Sequence, residues 1–184
     1  MTAYFLQAAV AAIRAVPETN SYWTDSALEI FNAIHMGVAT AVDTELVVPV
    51  VRNLETLDLL ETARTLQNLV ERAREGMLTP AEVRGGTFTI SNHGVSGSLL
   101  ATPIVINQPQ SAILGVGKLE RRVVVSSGEN DRDTLSVQPR CYVTLTIDHR
   151  VLDGYRANRF LQSFVDALAS WPASSARAHV HAGT

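Results

Sequence analysis

Apolar residues recur at helical spacing in three stretches of the chain. The first covers residues 2–16 and is broken by Pro17, the second covers residues 56–76, and the third covers residues 155–169. In each stretch an apolar residue returns every three or four positions, as it does along one face of an α-helix. Proline cannot continue a helix and glycine often ends one, so Pro17 and Gly76 mark two of the boundaries. The pattern therefore predicts three amphipathic helices.

Segments of β-branched or alternating apolar residues occupy most of the remaining chain, and the first two of them are predicted to form a hairpin. The predicted strands are residues 28–31, 34–41, 87–91, 111–116, 121–125 and 141–147. Residues 126–133 are polar and are predicted to be a hairpin loop, and residues 79–82 carry the Thr-Pro-Ala-Glu pattern of a capped turn.

This order of elements predicts one α+β domain over residues 1–172, with a mixed β-sheet flanked by helices. Residues 173–184 are rich in Ala, Ser and His and are predicted to be a disordered tail. His179 and His181 lie in that tail without a nearby Cys or carboxylate cluster, so no metal site is predicted.

Composition narrows the function classes. The 184 residues carry 15 Lys+Arg against 18 Asp+Glu, a net charge of -3, which disfavours nucleic-acid binding. Cys141 is the one cysteine, so no internal disulfide can form, and a reducing, cytoplasmic setting is expected. No apolar run is long enough to cross a membrane, and the first residues lack the basic start of an export signal.

The strongest candidate for chemistry is the segment DHRVLDG at residues 148–154, where a predicted strand ends and a helix begins. His149 is suited to proton transfer near neutral pH, and Asp153 can hold the turn by accepting hydrogen bonds. The pattern alone is equally compatible with a solvated histidine in a capped strand-to-helix turn.

Two further segments change that balance: GGTFTISNHG at residues 85–94 and TPIVINQPQSAILG at residues 102–115. With residues 148–154 they resemble, in order and spacing, the catalytic domain of the dihydrolipoamide acyltransferases of 2-oxo acid dehydrogenase complexes. The resemblance extends over residues 2–169. It implies a chloramphenicol acetyltransferase-like fold, shortened at its N-terminus, and a homotrimer with active sites between subunits.

The resemblance also implies roles for individual residues. His149 matches the general base, Ser91 the hydroxyl that stabilises the oxyanion, and Asp153 a residue that orients the motif turn. Asn107 and Gln108 match a turn near the coenzyme A channel. In the family a basic residue from the missing opening segment pairs with the motif aspartate, and Arg150 and Arg156 are candidates to replace it.

Other residues have two interpretations each. His93 lies in the turn after Ser91, where the complex-forming enzymes usually carry an uncharged residue, so it either lines the acceptor pocket or is a surface residue. His35, on a predicted strand, is expected to be packed rather than catalytic, and Cys141 is expected to be a small buried hydrophobe rather than a nucleophile.

The chain carries no lipoyl domain, and this suggests a stand-alone enzyme without a covalent lipoyl group. We therefore expect an acyltransferase that uses acetyl-CoA and no metal to acetylate a hydroxyl on a small biosynthetic intermediate, free or attached to a carrier protein. Relatives of this kind act on hydroxymethyl-tetronates in tetronate and spirotetronate pathways.

Two alternatives remain open. One is a dihydrolipoamide S-acyltransferase core fragment, acetyl or succinyl; residues 97–99 and 102–104 resemble the succinyl-transferring branch. The other is an inactive scaffold protein.

Overall fold

The structure is a computed structural model that describes residues 1–42, 45–127 and 133–171. Three α-helices are described: α1 (Thr2–Ala15), α2 (Leu59–Arg74) and α3 (Gly154–Ala169). The strands described, in chain order, are β1 (Ser21–Trp23), β2 (Leu28–Ile30), β3 (Met36–Val42), β4 (Glu45–Val47), β5 (Val50–Val51), β6 (Phe88–Asn92), β7 (Ala112–Val116), β8 (Glu120–Ser127), β9 (Asp133–Arg140) and β10 (Val143–Ile147).

The central sheet is mixed, with strand order β10-β7-β6-β3-β4, and β5 also pairs with β3. β6 runs parallel to both β3 and β7, whereas β10 runs antiparallel to β7. β8 and β9 form a separate two-stranded ribbon. The predicted mixed sheet with flanking helices is therefore confirmed.

One face of the central sheet carries the core. Phe88 and Ile90 of β6 are fully buried, and Phe88 stacks on Phe160 of α3 with ring centroids 5.5 Å apart. Phe5 of α1 stacks on Phe164 of α3 at 6.4 Å. Burial of apolar area on this face, at about 25 cal/mol per Å², is the main force that fixes the sheet against the helices.

The three predicted helices are present, with ends set by local capping. α2 begins after Asp58, whose carboxylate accepts the backbone N–H of Glu61 at 2.7 Å while the Glu61 carboxylate accepts the N–H of Asp58 at 2.8 Å. This reciprocal capping box explains why the helix starts at Leu59 rather than at the predicted Thr56.

The predicted hairpin of residues 28–31 with 34–41 is wrong. β2 pairs instead with β1, and β3 pairs with β4, β5 and β6. Local alternation identifies extended segments, but the choice of partner depends on long-range packing. The predicted loop at 126–133 is shorter than expected, since β8 and β9 extend into it; residues 128–132 and the predicted tail at 173–184 lie outside the described residues.

Candidate active site

His149 lies in a turn that is anchored at both ends. The turn follows β10, and the backbone N–H of Asp148 donates to the carbonyl of Ser111 at 2.8 Å. The N–H of Leu152 donates back to the carbonyl of Asp148 at 3.0 Å, and Leu152 is buried in the core. The His149 side chain itself is exposed. An imidazole open to a reactant therefore stands on a backbone that is held in place.

The neighbours of His149 bind each other. The Arg150 Nε donates to the Asp148 carboxylate at 2.9 Å, and the guanidinium also lies 5.4 Å from the ring centroid of Trp23. These hydrogen bonds from Arg150 hold the pKa of Asp148 below its usual value. This pair was not predicted from the sequence, although Asp148 and Arg150 directly flank His149 in it. The Asp148–Arg150 ion pair thus links the two residues that flank His149.

Asp153 is the N-cap of α3, and its carboxylate accepts the N–H of Arg156 at 2.8 Å. Neither predicted cation partner pairs with it: Arg150 binds Asp148, and the Arg156 Nε lies 3.6 Å from Glu18. Across residues 1–42, 45–127 and 133–171, no side-chain nitrogen of a Lys, Arg or His lies within 4.0 Å of the Asp153 carboxylate. Asp153 therefore fixes the end of the His149 turn by capping the N-terminus of α3.

Ser91 lies on the sheet face opposite the aromatic core. In the register of the sheet it pairs with Ala39 of β3 and Gly115 of β7, and Gly115 pairs with Thr144 of β10. Paired residues share a face, so this side of the sheet is a strip of small and hydroxyl-bearing residues around Ser91. The Thr144 hydroxyl donates to the carbonyl of Ala101 at 2.7 Å, which ties the segment after β6 across the strip.

His93 contacts Ser91 directly. Its Nε2 lies 2.9 Å from the Ser91 Oγ, within hydrogen-bond distance. His93, predicted either to line the acceptor pocket or to be a surface residue, thus contacts the Ser91 side chain. Residues two apart at the end of a strand lie on the same face, and this spacing is the signal by which the contact could have been found.

Ser91 and His149 lie at opposite ends of the same sheet. Ser91 is level with Thr144 in the register, whereas His149 comes after Ile147, the last residue of β10. Three residues of strand and two strand spacings separate their backbones by about 10 Å in each direction before the turn begins. One copy of the chain does not bring the two groups together.

Asn107 and Gln108 lie at the His149 end. They line a cavity of about 250 Å³ together with Tyr22, Gly86 and Gln110. Next to Gln110, Ser111 is the residue that receives the hydrogen bond from Asp148. This cavity and the His149 turn are thus joined through one short segment.

Cys141 is not suited to act as a nucleophile, and His179 and His181 lie outside the described residues. Burial raises the pKa of the half-buried Cys141 thiol, which keeps it protonated and a poor nucleophile. Within the described ranges, no three His, Cys, Asp or Glu side chains are grouped so that they could hold a metal ion. Among the helices described, none is long and apolar enough to cross a membrane.

Comparison with known proteins identifies the family. The family model of the 2-oxoacid dehydrogenases acyltransferase (catalytic domain) matches residues 1–174. The chain belongs to this acyltransferase family. A solved member, a probable dihydrolipoamide acetyltransferase from Listeria monocytogenes 4b F2365, superposes with a TM-score of 0.83 at 33% identity, over 91% of this chain and 69% of that one. The expected family and enzyme class are thereby confirmed.

A curated member of the acyltransferase family is similar over nearly the whole chain. The dihydrolipoyllysine-residue succinyltransferase component of the 2-oxoglutarate dehydrogenase complex from Rickettsia bellii is 40% identical over 167 residues, 91% of this chain. The match spans 40% of that relative's length. A chloramphenicol acetyltransferase superposes with a TM-score of 0.54 at 20% identity over 91% of this chain and 77% of that one, which confirms the expected fold.

These matches overturn the main functional prediction. The expected hydroxyl acetyltransferase of tetronate biosynthesis is wrong, because the family model and both family members described above are acyltransferases named for dihydrolipoyl groups or 2-oxoacid dehydrogenases. The alternative of a dihydrolipoamide acyltransferase core is better supported. The prediction rested on the absence of a lipoyl domain from this sequence and on His93 in the Ser91 turn, and neither feature identifies the acceptor.

Proposed function

We propose that this chain is the catalytic domain of a dihydrolipoyl S-succinyltransferase, which moves a succinyl group between coenzyme A and a dihydrolipoyl thiol. The relative at 40% identity is a succinyltransferase, whereas the solved acetyltransferase is 33% identical. The similarity of residues 97–99 and 102–104 to the succinyl branch supports the same donor. Coenzyme A and the dihydrolipoyl group are substrates in this proposal.

His149 supplies the base. Its exposed imidazole takes the proton of the dihydrolipoyl thiol, and the thiolate attacks the thioester carbon of succinyl-CoA. A new C–S bond forms and the carbonyl oxygen becomes an oxyanion. When the bond to coenzyme A breaks, the departing thiolate takes the proton back from His149. The reverse transfer uses the same groups in the opposite order.

Ser91 supplies the donor for the oxyanion. Ser91 is partly buried on the strip of small and hydroxyl-bearing residues, and its hydroxyl is within reach of a donor or acceptor in the same turn, as the contact with His93 shows. One well-placed donor of this kind is worth about 10²- to 10³-fold in rate. Asp153 holds the His149 turn through its cap on α3, and Asn107 and Gln108 line the route that we assign to coenzyme A.

The observation that carries the assembly is the separation of Ser91 from His149 along one sheet. We assign the active site to the boundary between two copies, with His149 from one copy and Ser91 from the next, in a homotrimer. A head-to-tail contact of this type closes into a ring when the rotation between copies is a whole fraction of a turn.

The β8–β9 ribbon supports assembly independently. On one of its faces, Val123 pairs with Val137 and Val125 with Leu135, and all four side chains are 53–74% exposed in the single chain. An apolar ribbon face this open in water favours coverage by another molecule. A second copy is the occupant that the proposed trimer provides.

The test is acyl transfer to free dihydrolipoamide, measured by mass spectrometry with succinyl-CoA and acetyl-CoA in parallel. We expect transfer from succinyl-CoA, and a loss of about 10²- to 10⁴-fold in His149→Ala. Asn68→Ala, an exposed change on α2, is the control and keeps full activity. Transfer from acetyl-CoA alone would show that the donor is acetyl-CoA and not succinyl-CoA. No transfer from either donor would overturn the proposal.

A further inference from the structure

We propose that His93 is a positioning residue for Ser91. Its Nε2–H donates to the Ser91 Oγ and so directs the hydroxyl proton toward the carbonyl oxygen of the acyl group. The inference rests on the proposed function, because it concerns the oxyanion formed during acyl transfer.

The argument begins with the single proton of the hydroxyl. Ser91 Oγ and His93 Nε2 are 2.9 Å apart, so one of the two atoms donates to the other. If Ser91 donated to the imidazole, its one proton would be engaged there and unable to meet an oxyanion. Only a His93 that carries its proton on Nε2 leaves the hydroxyl free to donate to the substrate.

His93 is held in a turn with little freedom to move. The backbone N–H of Gly94 donates to the Asn92 side chain at 3.1 Å, and the N–H of Ser98 donates to the carbonyl of His93 at 3.3 Å. Gly94 packs so closely on Gly117 that a Cβ at Gly94 would lie 2.5 Å from the Gly117 carbonyl oxygen. The imidazole therefore approaches Ser91 from a fixed backbone.

Within the described part of the chain, His93 is the one residue that forms a hydrogen bond with the Ser91 hydroxyl. No other side chain or backbone group there forms a hydrogen bond with the Ser91 Oγ. A donor to a hydroxyl oxygen also polarises its O–H bond, which makes the hydroxyl a better donor to developing negative charge. His93 thus orients the Ser91 proton and strengthens its hydrogen bond in one contact.

The kinetic test uses matched substitutions. His93→Leu keeps the approximate size of the side chain without a donor, and His93→Gln keeps an N–H donor at a similar reach on a flexible, non-aromatic group. For one lost hydrogen bond we expect His93→Leu to lower kcat about tenfold with KM changed less than about twofold, and His93→Gln to recover most of kcat. Val95→Ala, a 79% exposed position in the same turn, is the control and keeps full activity.

A double-mutant cycle separates positioning from a general effect on the turn. In the Ser91→Ala background, His93→Leu is expected to cause no further loss of kcat, because there is no hydroxyl left to direct. An equal loss in both backgrounds, or no loss with Ser91 present, would overturn the inference.

A spectroscopic test does not depend on activity. In the whole protein, ¹⁵N-edited NMR of the imidazoles reports which nitrogen of His93 is protonated, and the His93→Gln spectrum assigns the signal. We expect the Nε2–H form in the unmodified protein; an Nδ1–H form would overturn the inference. If acyl transfer is absent but His93 is Nε2–H, the proposed function fails while the hydrogen-bond geometry stands.

Discussion

Ser91 is the residue at which a single atom should decide the rate. If its hydroxyl donates to the oxyanion, Ser91→Ala is expected to lower kcat by about 10²- to 10³-fold. Ser91→Thr keeps the hydroxyl in a strand position that suits a β-branched residue, so it should retain much more activity. Steady-state transfer to dihydrolipoamide measures both variants. Equal losses for the two substitutions would mean that packing, not the hydroxyl, is what matters.

His35 makes stability depend on pH. Burial of the ring and the charge of Arg52 lower its pKa, against the charge of Glu55 and a backbone hydrogen bond at Ile34, which raise it. The neutral Nδ1 accepts the N–H of Asn53 at 3.1 Å. Since the folded-state pKa lies below the unfolded value of about 6.5, the unfolded chain binds the proton more readily. The contribution of neutral His35 to the free energy of unfolding is present above pH 6.5 and is lost as the pH falls through the folded-state pKa.

Urea unfolding of the unmodified protein at pH 7.5 and pH 5.5, compared with His35→Asn, measures that contribution. Asn offers an acceptor near the position of Nδ1 but does not titrate. The free energy of unfolding should fall more between the two pH values with His35 present than with Asn. Parallel decreases in the two proteins would assign the pH dependence to other groups.

At the scale of elements, Gly115 fixes the distance between β7 and the segment that crosses it. A Cβ there would lie 2.5 Å from the Thr144 Oγ1 and 2.6 Å from both the Ala101 carbonyl oxygen and the Pro103 ring. Gly115→Ala should therefore displace that segment and cost about 1–3 kcal/mol of unfolding free energy. Because Gly115 pairs with Ser91, acyl transfer should fall as well.

Gly154→Ala is the matched control for this prediction. It also adds one methyl group, but at the start of α3, where a Cβ would meet nothing within 4 Å. Alanine favours the helix over glycine by up to about 1 kcal/mol, so this variant should be as stable as the original or slightly more stable. Similar midpoints of denaturation for the two variants would contradict the steric role of Gly115.

The sequence predicts an element well where residues close in the sequence determine it, and poorly where contacts between distant residues do. The helices follow from periodicity and caps within a few residues, as Asp58 and Asp153 illustrate. The partner of β2 does not, because it is chosen by tertiary packing, which places β2 beside β1 while β3 pairs with β4, β5 and β6. The family motifs located Ser91 and His149, but their separation appears only once the register of β6, β7 and β10 is known.

At the scale of the whole molecule, the two faces of the sheet have different uses. One is filled by the aromatic side chains of α1, α3 and β6, and it stabilises the fold. The other carries small and hydroxyl-bearing residues around Ser91, while His149 lies in the turn after Ile147, the last residue of β10. A chain organised in this way builds two half-sites, and the chemistry that we propose requires a neighbour for each.

Complementation between inactive variants tests that requirement. Ser91→Ala and His149→Ala are each expected to be nearly inactive when assembled alone. When the two are unfolded and refolded together in equal amounts, random assembly joins the intact His149 of one with the intact Ser91 of the other in about a quarter of the sites. Recovery of about a quarter of the original activity is therefore expected.

The same two proteins mixed without unfolding are the control, and they should stay inactive because intact assemblies exchange copies slowly. Native mass spectrometry establishes that mixed assemblies have formed. If mixed assemblies are present and activity does not return, Ser91 and His149 do not act across a boundary between copies. Recovery of activity would instead show that Ser91 and His149, which are apart within one copy, form the active site only when copies assemble.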